Sequence, residues 1–389
     1  NGRELYRFDG INPPMMIDVN PGSIGSSPTD FAEYNGDLYF AADATADSRF
    51  PDRELFVWDG TSAFLVDDID VTGSSDPQYL TVFGDDLYFA ASRPDTGREL
   101  FVFSGTTASL ALDLVEGSAS SSPAELTASD TLLYFAADTV AQGNELIAFD
   151  GSVATIIDIS GEGSDSGVPE WLTVVDGTLY FAATFSQLSG LERELFFIDG
   201  SGMPQKIDVN PGVAASSSPH DLVEFNGQLY FGATVAGDDE LWRLDVSGPR
   251  LVANLNGPGS SSPQYLTPFK GTLVFTANNF DAGFEPHQLV VANQFDYAWT
   301  LALPPGGAIS NLTGAATDTF SFDALNEGHY TATVTVTVPG TNFVFTDSVD
   351  VFVNAFPPTI DAGPDELGVV EGVAFTRDLL LVDPGNDTW

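Results

Sequence analysis

The chain contains no cysteine. That excludes disulfides, thiolate metal sites and Fe–S clusters. Cations are almost as scarce: 12 Lys plus Arg stand against 56 Asp plus Glu, a formal net charge of −44 over 389 residues. So acidic a surface argues against nucleic acid as a partner, because phosphate binding needs cationic groups. It favours solubility and the uptake of small cations. Histidine occurs only at His220, His287 and His329, each in a different part of the sequence pattern, which argues against a multi-histidine zinc site. No apolar run is long enough to span a bilayer, so no membrane-spanning segment is expected. No signal peptide is visible, and the first residues, "NGRELYRFDG", begin inside a motif; any targeting segment is expected to lie outside this chain. Helical periodicity, the Gly-x-Ser-x-Gly elbow and a phosphate-cradling glycine loop are all missing.

What the sequence does hold is β-forming and repetitive. Residues are 43% hydrophobic and 12% aromatic, with the acids spread among Phe, Tyr and Leu. That pattern predicts folded sheets with an acidic skin rather than a disordered tail. The phrase "DLYFAA" begins at Asp37 and again at Asp86; "LLYFAA" follows at Leu132, "TLYFAA" at Thr178, "QLYFGA" at Gln228 and "TLVFTA" at Thr272. A proline precedes each (Pro28, Pro77, Pro123, Pro169, Pro219, Pro263), and a Glu-Leu follows at Glu54, Glu99, Glu145, Glu194 and Glu240, decayed to "EPHQL" at Glu285. The period of about 45 to 50 residues is that of propeller blades.

One unit reads as four strands: "SSPQYLTVF", "DDLYFAAS", "RELFVFSG" and "ASLALDLV", short runs of aromatic and β-branched residues divided by Gly, Asn and Asp. Four strands repeated radially make a β-propeller. First and second strands occur six times. No fourth strand follows the last third strand, whereas the N-terminal "ELYRFDGINPPMMIDV" supplies unpaired outer strands. The expectation is therefore a six-bladed ring over residues 1–293, closed by the N-terminal strands joining the blade begun at Ser260.

The stretches "ELFVWDGT" (Glu54 to Thr61), "DVNPGSIGSSP" (Asp18 to Pro28) and "FNGQLYFGA" resemble bacterial ELWxxDGT repeats. That resemblance implies a secreted or surface protein of microbial origin and a propeller; it brings no activity with it. From about Gln294 the repeat stops. The segment 294–355, with "EGHYTATVTV", resembles the later strands of a PKD-like, immunoglobulin-type β-sandwich that lacks its opening strands. The segment 356–389 resembles the opening strands of a second such module. The two pieces are complementary, and an incomplete sandwich exposes core and unpaired edges. Residues Ile360, Leu367, Val369, Val370, Val373, Phe375, Leu379 and Leu381 are the expected interface of a donor segment. It would act between chains, giving a homopolymeric fibre, or fold back within its own chain; a truncated second module is the third reading.

Chemistry is weighed against structure at each repeated residue. The glutamate of every third strand is read as structural, bonding a turn or a neighbouring blade, since catalysis needs asymmetry. The Arg before it (Arg3, Arg53, Arg98, Arg193) points to the opposite face and is not its partner. The repeated Asp18, Asp68, Asp113, Asp158 and Asp208, with Asn254, read as linker caps, with calcium as the functional alternative. Asp361, Asp383 and Asp387 form a second candidate calcium set. No cofactor is required. Trp58, Trp171 and Trp242 are candidates for stacking on sugar rings, weighed against simple packing. The function read from all this is a non-enzymatic, extracellular structural protein that assembles with itself. The alternatives are an adhesive propeller binding cell-surface glycans and, third, a polysaccharide-active enzyme.

Overall fold

The computed structural model describes residues 2–20, 25–44, 52–160, 165–187, 190–211, 216–279, 283–289, 296–315, 319–337, 344–354, 366–370 and 374–378. These residues form strands and turns and include no helix. The chain divides into two compact units, Asn1–Leu289 and Val290–Trp389.

In the first unit the repeats are antiparallel meanders, each named here by its first residue. The Thr29 sheet runs Thr29–Tyr34, Asp37–Asp43, Arg53–Trp58 and Ala63–Asp67. The Gln78 sheet runs Gln78–Phe83, Asp86–Arg93, Gly97–Phe103 and Ala108–Leu112. The Ala124 sheet runs Ala124–Ala128, Leu133–Thr139, Gly143–Phe149 and Ala154–Ile157. The Glu170 sheet runs Glu170–Val175, Thr178–Gln187, Gly190–Ile198 and Pro204–Ile207. The His220 sheet runs His220–Phe225, Gln228–Val235, Asp238–Asp245 and Gly248–Ala253. The Gln264 sheet has three strands, Gln264–Phe269, Thr272–Asn279 and Gly283–Leu289.

The "LYFAA" strand explains why the sheets stack. Alternate side chains leave opposite faces, and here both faces are apolar. Leu87, Phe89 and Ala91 pack back on Tyr34, Tyr39, Leu55 and Val57 of the Thr29 sheet. Tyr88, one residue out of phase, packs forward on Leu126, Leu133 and Phe135 of the Ala124 sheet. Each fully buried Phe is worth roughly 1.5–3 kcal/mol of transfer free energy, so each junction between sheets is a core in its own right. Neighbouring sheets also meet along their first strands, where Thr81, Thr127 and Thr173 donate their hydroxyls to the carbonyls of Leu126, Leu172 and Leu222. The first and second strands of several sheets are joined by a two-residue turn with both residues left-handed, as at Asn35-Gly36 and Asn226-Gly227. Asn-Gly is the pair that such a turn favours.

The N-terminal strands Leu5–Arg7 and Met15–Ile17 form a hairpin that packs Leu5, Ile17 and Val19 on Phe40, Ala42 and Phe56 of the Thr29 sheet. It therefore stands before that sheet as the third and fourth strands of the other sheets stand before theirs. The expected pairing of this hairpin with the sheet begun near Ser260 is not among the strand pairs of the described residues. The hairpin strands pair with each other, and Gly283–Leu289 occupies the place beside Thr272–Asn279.

The second unit is a pair of sheets. One orders Asp296–Ala302, Gly328–Thr337, Val344–Asn354 and Glu366–Val370; the other orders Ile309–Thr313, Thr319–Ala324 and Ala374–Asp378. Phe320, Phe322 and Ala324 of one sheet bury against Tyr330, Ala332, Val351 and Val353 of the other. Trp299 stacks on Phe320 at 5.0 Å between ring centroids. Tyr330 is fully buried and donates its hydroxyl to the Asn326 carbonyl at 2.8 Å, the corner expected of an immunoglobulin-type sandwich.

The two C-terminal strands do complete these sheets, and they do so within the chain. Glu366–Val370 pairs parallel to Val344–Asn354, and Ala374–Asp378 pairs antiparallel to Thr319–Ala324. Of the three expectations for this segment, intrachain pairing is the one this structure contains. Leu367, Val369, Val370 and Phe375 sit on these strands. Ile360, Val373, Leu379 and Leu381 lie outside the described residues.

Candidate functional site

The repeated glutamate is a latch. Glu99 is completely buried. Its Oε1 accepts the Ser121 N–H at 2.6 Å, while Oε2 accepts the Ser121 hydroxyl at 2.5 Å and the Leu114 N–H at 3.0 Å. Ser121 opens the next sheet, so the carboxylate ties the third strand of one sheet to the linker into the next. Glu54 with Ser75 and Ile69, Glu194 with Ser217 and Val209, and Glu240 with Ser261 and Leu255 repeat the arrangement. Glu4 makes the same bonds to Ser26 from the N-terminal hairpin. At Glu145 the serine is replaced by Gly167, leaving two backbone donors, Ile159 and Gly167. Burial raises the pKa of Glu54 and of Glu145 to about 7, against the pull of these bonds.

The residue before each glutamate faces the other way, as strand alternation requires. Arg53 donates to the carbonyls of Ser27 (2.9 Å) and Ala41 (3.0 Å) and to the Thr29 hydroxyl. Arg98 donates to the carbonyls of Asp76 (2.8 Å) and Ala90 (3.4 Å). Arg193 donates to those of Val168 (3.1 Å) and Ala182 (3.4 Å) and pairs with Glu170 at 2.7 Å. In these sheets a guanidinium fills one berth, formed by the first strand, the second strand and the linker. The His220 sheet fills it differently. Asp239 replaces the arginine, and His220 enters from the first strand, 3.1 Å from Asp239 and 3.1 Å from Asp221. Gly232 makes room, since a β-carbon there would lie 2.2 Å from the imidazole. Burial works against the charge on His220, but the two carboxylates override it and raise its pKa to about 9.

In the Ala124 sheet the corresponding residue is Asn144. Its amide turns to Asp138 at 3.0 Å instead of to the berth. A cleft of about 430 Å³ results, lined by Tyr79, Ala124, Glu125, Ala136, Asn144, Val168, Pro169, Glu170 and Trp171.

This cleft belongs to a wider pattern that the sequence reading did not single out. Every first strand of the six sheets has a register shift between its first and fourth residues, and the second residue lies inside it. That residue is left-handed in each: Asp30, Tyr79, Glu125, Trp171, Asp221 and Tyr265, with φ between 50° and 60°. None is glycine, and carboxylate alternates with aromatic from sheet to sheet. Asp30 accepts the Tyr79 N–H (2.8 Å), Glu125 that of Trp171 (3.0 Å) and Asp221 that of Tyr265 (2.6 Å). Tyr79, Trp171 and Tyr265 remain 38%, 40% and 72% exposed. Left-handed conformations of bulky residues are strained and gather at functional sites. The signal was present as the second residue after each repeated proline.

The other sequence candidates are dispersed. Trp58 lies under the Arg7 guanidinium, 5.8 Å from the ring centroid, and Trp242 packs into the core beside Leu229 and Phe231. His287 stacks on Phe275, and His329 stacks on Phe352 while meeting Asp350 at 2.9 Å. Of the linker acids, Asp68 gathers with Asp52 and Glu54, their oxygens within 4.8 Å of one another, a donor set suited to a hard cation. Asp361, Asp383 and Asp387 lie outside the described residues.

No family model matches the chain, and no curated protein matches it. Among solved structures, a prolyl endopeptidase is 11% identical with a TM-score of 0.43, over 81% of this chain and 46% of that one. The chain thus spans about half the length of that enzyme. The β-propeller domain of the Trilobed protease from Pyrococcus furiosus is 9% identical with a TM-score of 0.41, over 82% of this chain and 96% of that domain. TolB from Acinetobacter baumannii is 14% identical with a TM-score of 0.36, over 66% of this chain and 64% of that one.

Proposed function

We propose that the chain is a binding module of a secreted or surface-exposed microbial protein: a six-bladed propeller, followed by a PKD-like sandwich, that recognises glycans through the first strands of its sheets and has no catalytic activity of its own. The observation that carries the reading is the alternation of half-exposed aromatics with carboxylates at the six bulges. Aromatic rings stack on the apolar faces of sugars, and carboxylates accept their hydroxyls. The repeated Glu of five sheets and the Arg of three are consumed in latches and berths, which supports a scaffold rather than a reaction centre. The test is a glycan array probed with the whole chain. The expected result is a discrete set of bound oligosaccharides, lost when Tyr79 and Trp171 are both replaced by Ala. Uniform absence of binding would remove the reading.

A second reading, self-assembly by strand complementation, is supported by one observation. Glu366–Val370 and Ala374–Asp378 add to sheet edges after a separate stretch of chain. A neighbouring copy's segment could make the same pairs. Electron microscopy of concentrated protein tests it: regular fibres are expected, and dispersed particles at every concentration would sink it.

A further inference from the structure

The cleft, lined by Ala124, Ala136 and Asn144 of the Ala124 sheet and by Val168, Pro169, Glu170 and Trp171 at the start of the next, takes in the guanidinium berth of the repeat without its arginine. Position by position, Asn144 stands where Arg53, Arg98 and Arg193 stand, Ala136 where Ala41, Ala90 and Ala182 present their carbonyls, and Ser122 where Ser27, Asp76 and Val168 present theirs. Ala124 replaces the larger Thr29 and Gln78, which widens the berth further. We propose that this cleft receives the arginine side chain of a basic partner polypeptide, supplied from outside where the sibling sheets supply it from within. The inference goes beyond the glycan reading above and places a second class of ligand on the same face.

Three features favour a guanidinium over other occupants. First, the sibling berths are satisfied by a planar fork whose two Nη groups reach separate carbonyls, a geometry that an ammonium does not reproduce. Second, the walls add charge and rings: the carboxylates of Glu125 and Glu170, and the aromatics Tyr79 and Trp171 on either side. Cations bind over such rings and pair with such carboxylates. Arg193 already pairs with Glu170 at 2.7 Å, which leaves Glu125 as the carboxylate facing an incoming cation. Third, a surface of net charge −44 steers basic partners towards it.

The experiment is calorimetric titration of the whole chain with Nα-acetyl-arginine amide, the matching lysine amide and the citrulline amide, which keeps the shape and lacks the charge. Asn144→Arg refills the berth from within, as the sibling sheets do, and is expected to stay folded. Trp171→Ala is the second variant, altering an exposed wall only. The proposal predicts saturable binding of the arginine amide, at least roughly tenfold weaker binding of the lysine amide and no measurable citrulline binding, a difference of about 1.4 kcal/mol or more. Asn144→Arg should abolish the arginine titration, and Trp171→Ala should weaken it. Equal binding of citrulline and arginine, unchanged binding in Asn144→Arg, or no binding by the wild-type chain would overturn it. Glycan binding retained without arginine binding would overturn the berth alone and leave the binding face standing.

Discussion

Asp239 and His220 sit 3.1 Å apart in a place that other sheets give to an arginine. Three residues differ together: an acid stands in place of the arginine, the first strand carries an imidazole, and Gly232 stands in place of the alanine of the second strand. A half-buried cation thus fills this position by two routes, as Arg53, Arg98 and Arg193 or as His220, while the Ala124 sheet has Asn144 there.

Restoring alanine at position 232 should show how tightly the exchange is coupled. Gly232→Ala places a methyl group 2.2 Å from the imidazole and is expected to destabilise the first unit by about 1–3 kcal/mol. Combined with His220→Ala it should cost much less, because the methyl then meets no ring. A double-mutant cycle from urea denaturation measures the coupling; additive effects would contradict the packing described here.

The glutamate latch makes a larger prediction. Glu99→Ala leaves two backbone N–H groups and the Ser121 hydroxyl without their acceptor in a buried site. The expected loss is about 3 kcal/mol or more. Ser121→Ala removes only one donor to a carboxylate that keeps two others, and should cost about 1–2 kcal/mol. Denaturant melts of the two variants compare them directly.

The pH dependence has a definite sign. Glu54 and Glu145 have folded pKa values of about 7, above the ordinary 4.5. Between those values the folded chain binds more protons than the unfolded one, so stability falls as pH rises from 4.5 to 7. His220 is raised from 6.5 to about 9; its contribution is complete below 6.5 and is lost as pH rises through 9. Both effects run the same way. Thermal melts of the first unit should fall from pH 5 to pH 9, and His220→Gln should flatten the upper part of that fall.

Removal of residues 355–389 should act on the second unit alone. It strips Glu366–Val370 and Ala374–Asp378 from two sheets and exposes the edges of Val344–Asn354 and Thr319–Ala324. Hydrogen exchange is expected to accelerate along those strands and to leave Leu87–Ala91 unaffected. A synthetic peptide of residues 356–389 should restore protection.

Much of the fold was legible because the repeat wrote it several times. The four strands of "SSPQYLTVF…ALDLV" fall at Gln78–Phe83, Asp86–Arg93, Gly97–Phe103 and Ala108–Leu112, and the opposite faces of Arg98 and Glu99 followed from strand alternation. Glu54, Glu99, Glu145, Glu194 and Glu240 bond the linker into the next sheet, the structural role expected of them. The row of bulges was not legible as such. A bulge has no residue signature of its own, and Asp30, Tyr79, Glu125, Trp171, Asp221 and Tyr265 look like unrelated substitutions until a shared left-handed backbone aligns them. The cleft was hidden for a similar reason, since Asn144 in place of Arg is a visible change only once the berth of Arg98 is known.

The central claim is that the bulge residues form the binding face. The measurement that tests it most directly is the affinity of the best array glycan for the Tyr79→Ala/Trp171→Ala chain, with Trp58→Ala, whose ring lies beneath Arg7, as the control. Loss of two stacking rings is expected to weaken binding by roughly tenfold or more, with the Trp58 variant unchanged. Unaltered affinity in the Tyr79/Trp171 variant, or an equal loss in the control, would contradict the account.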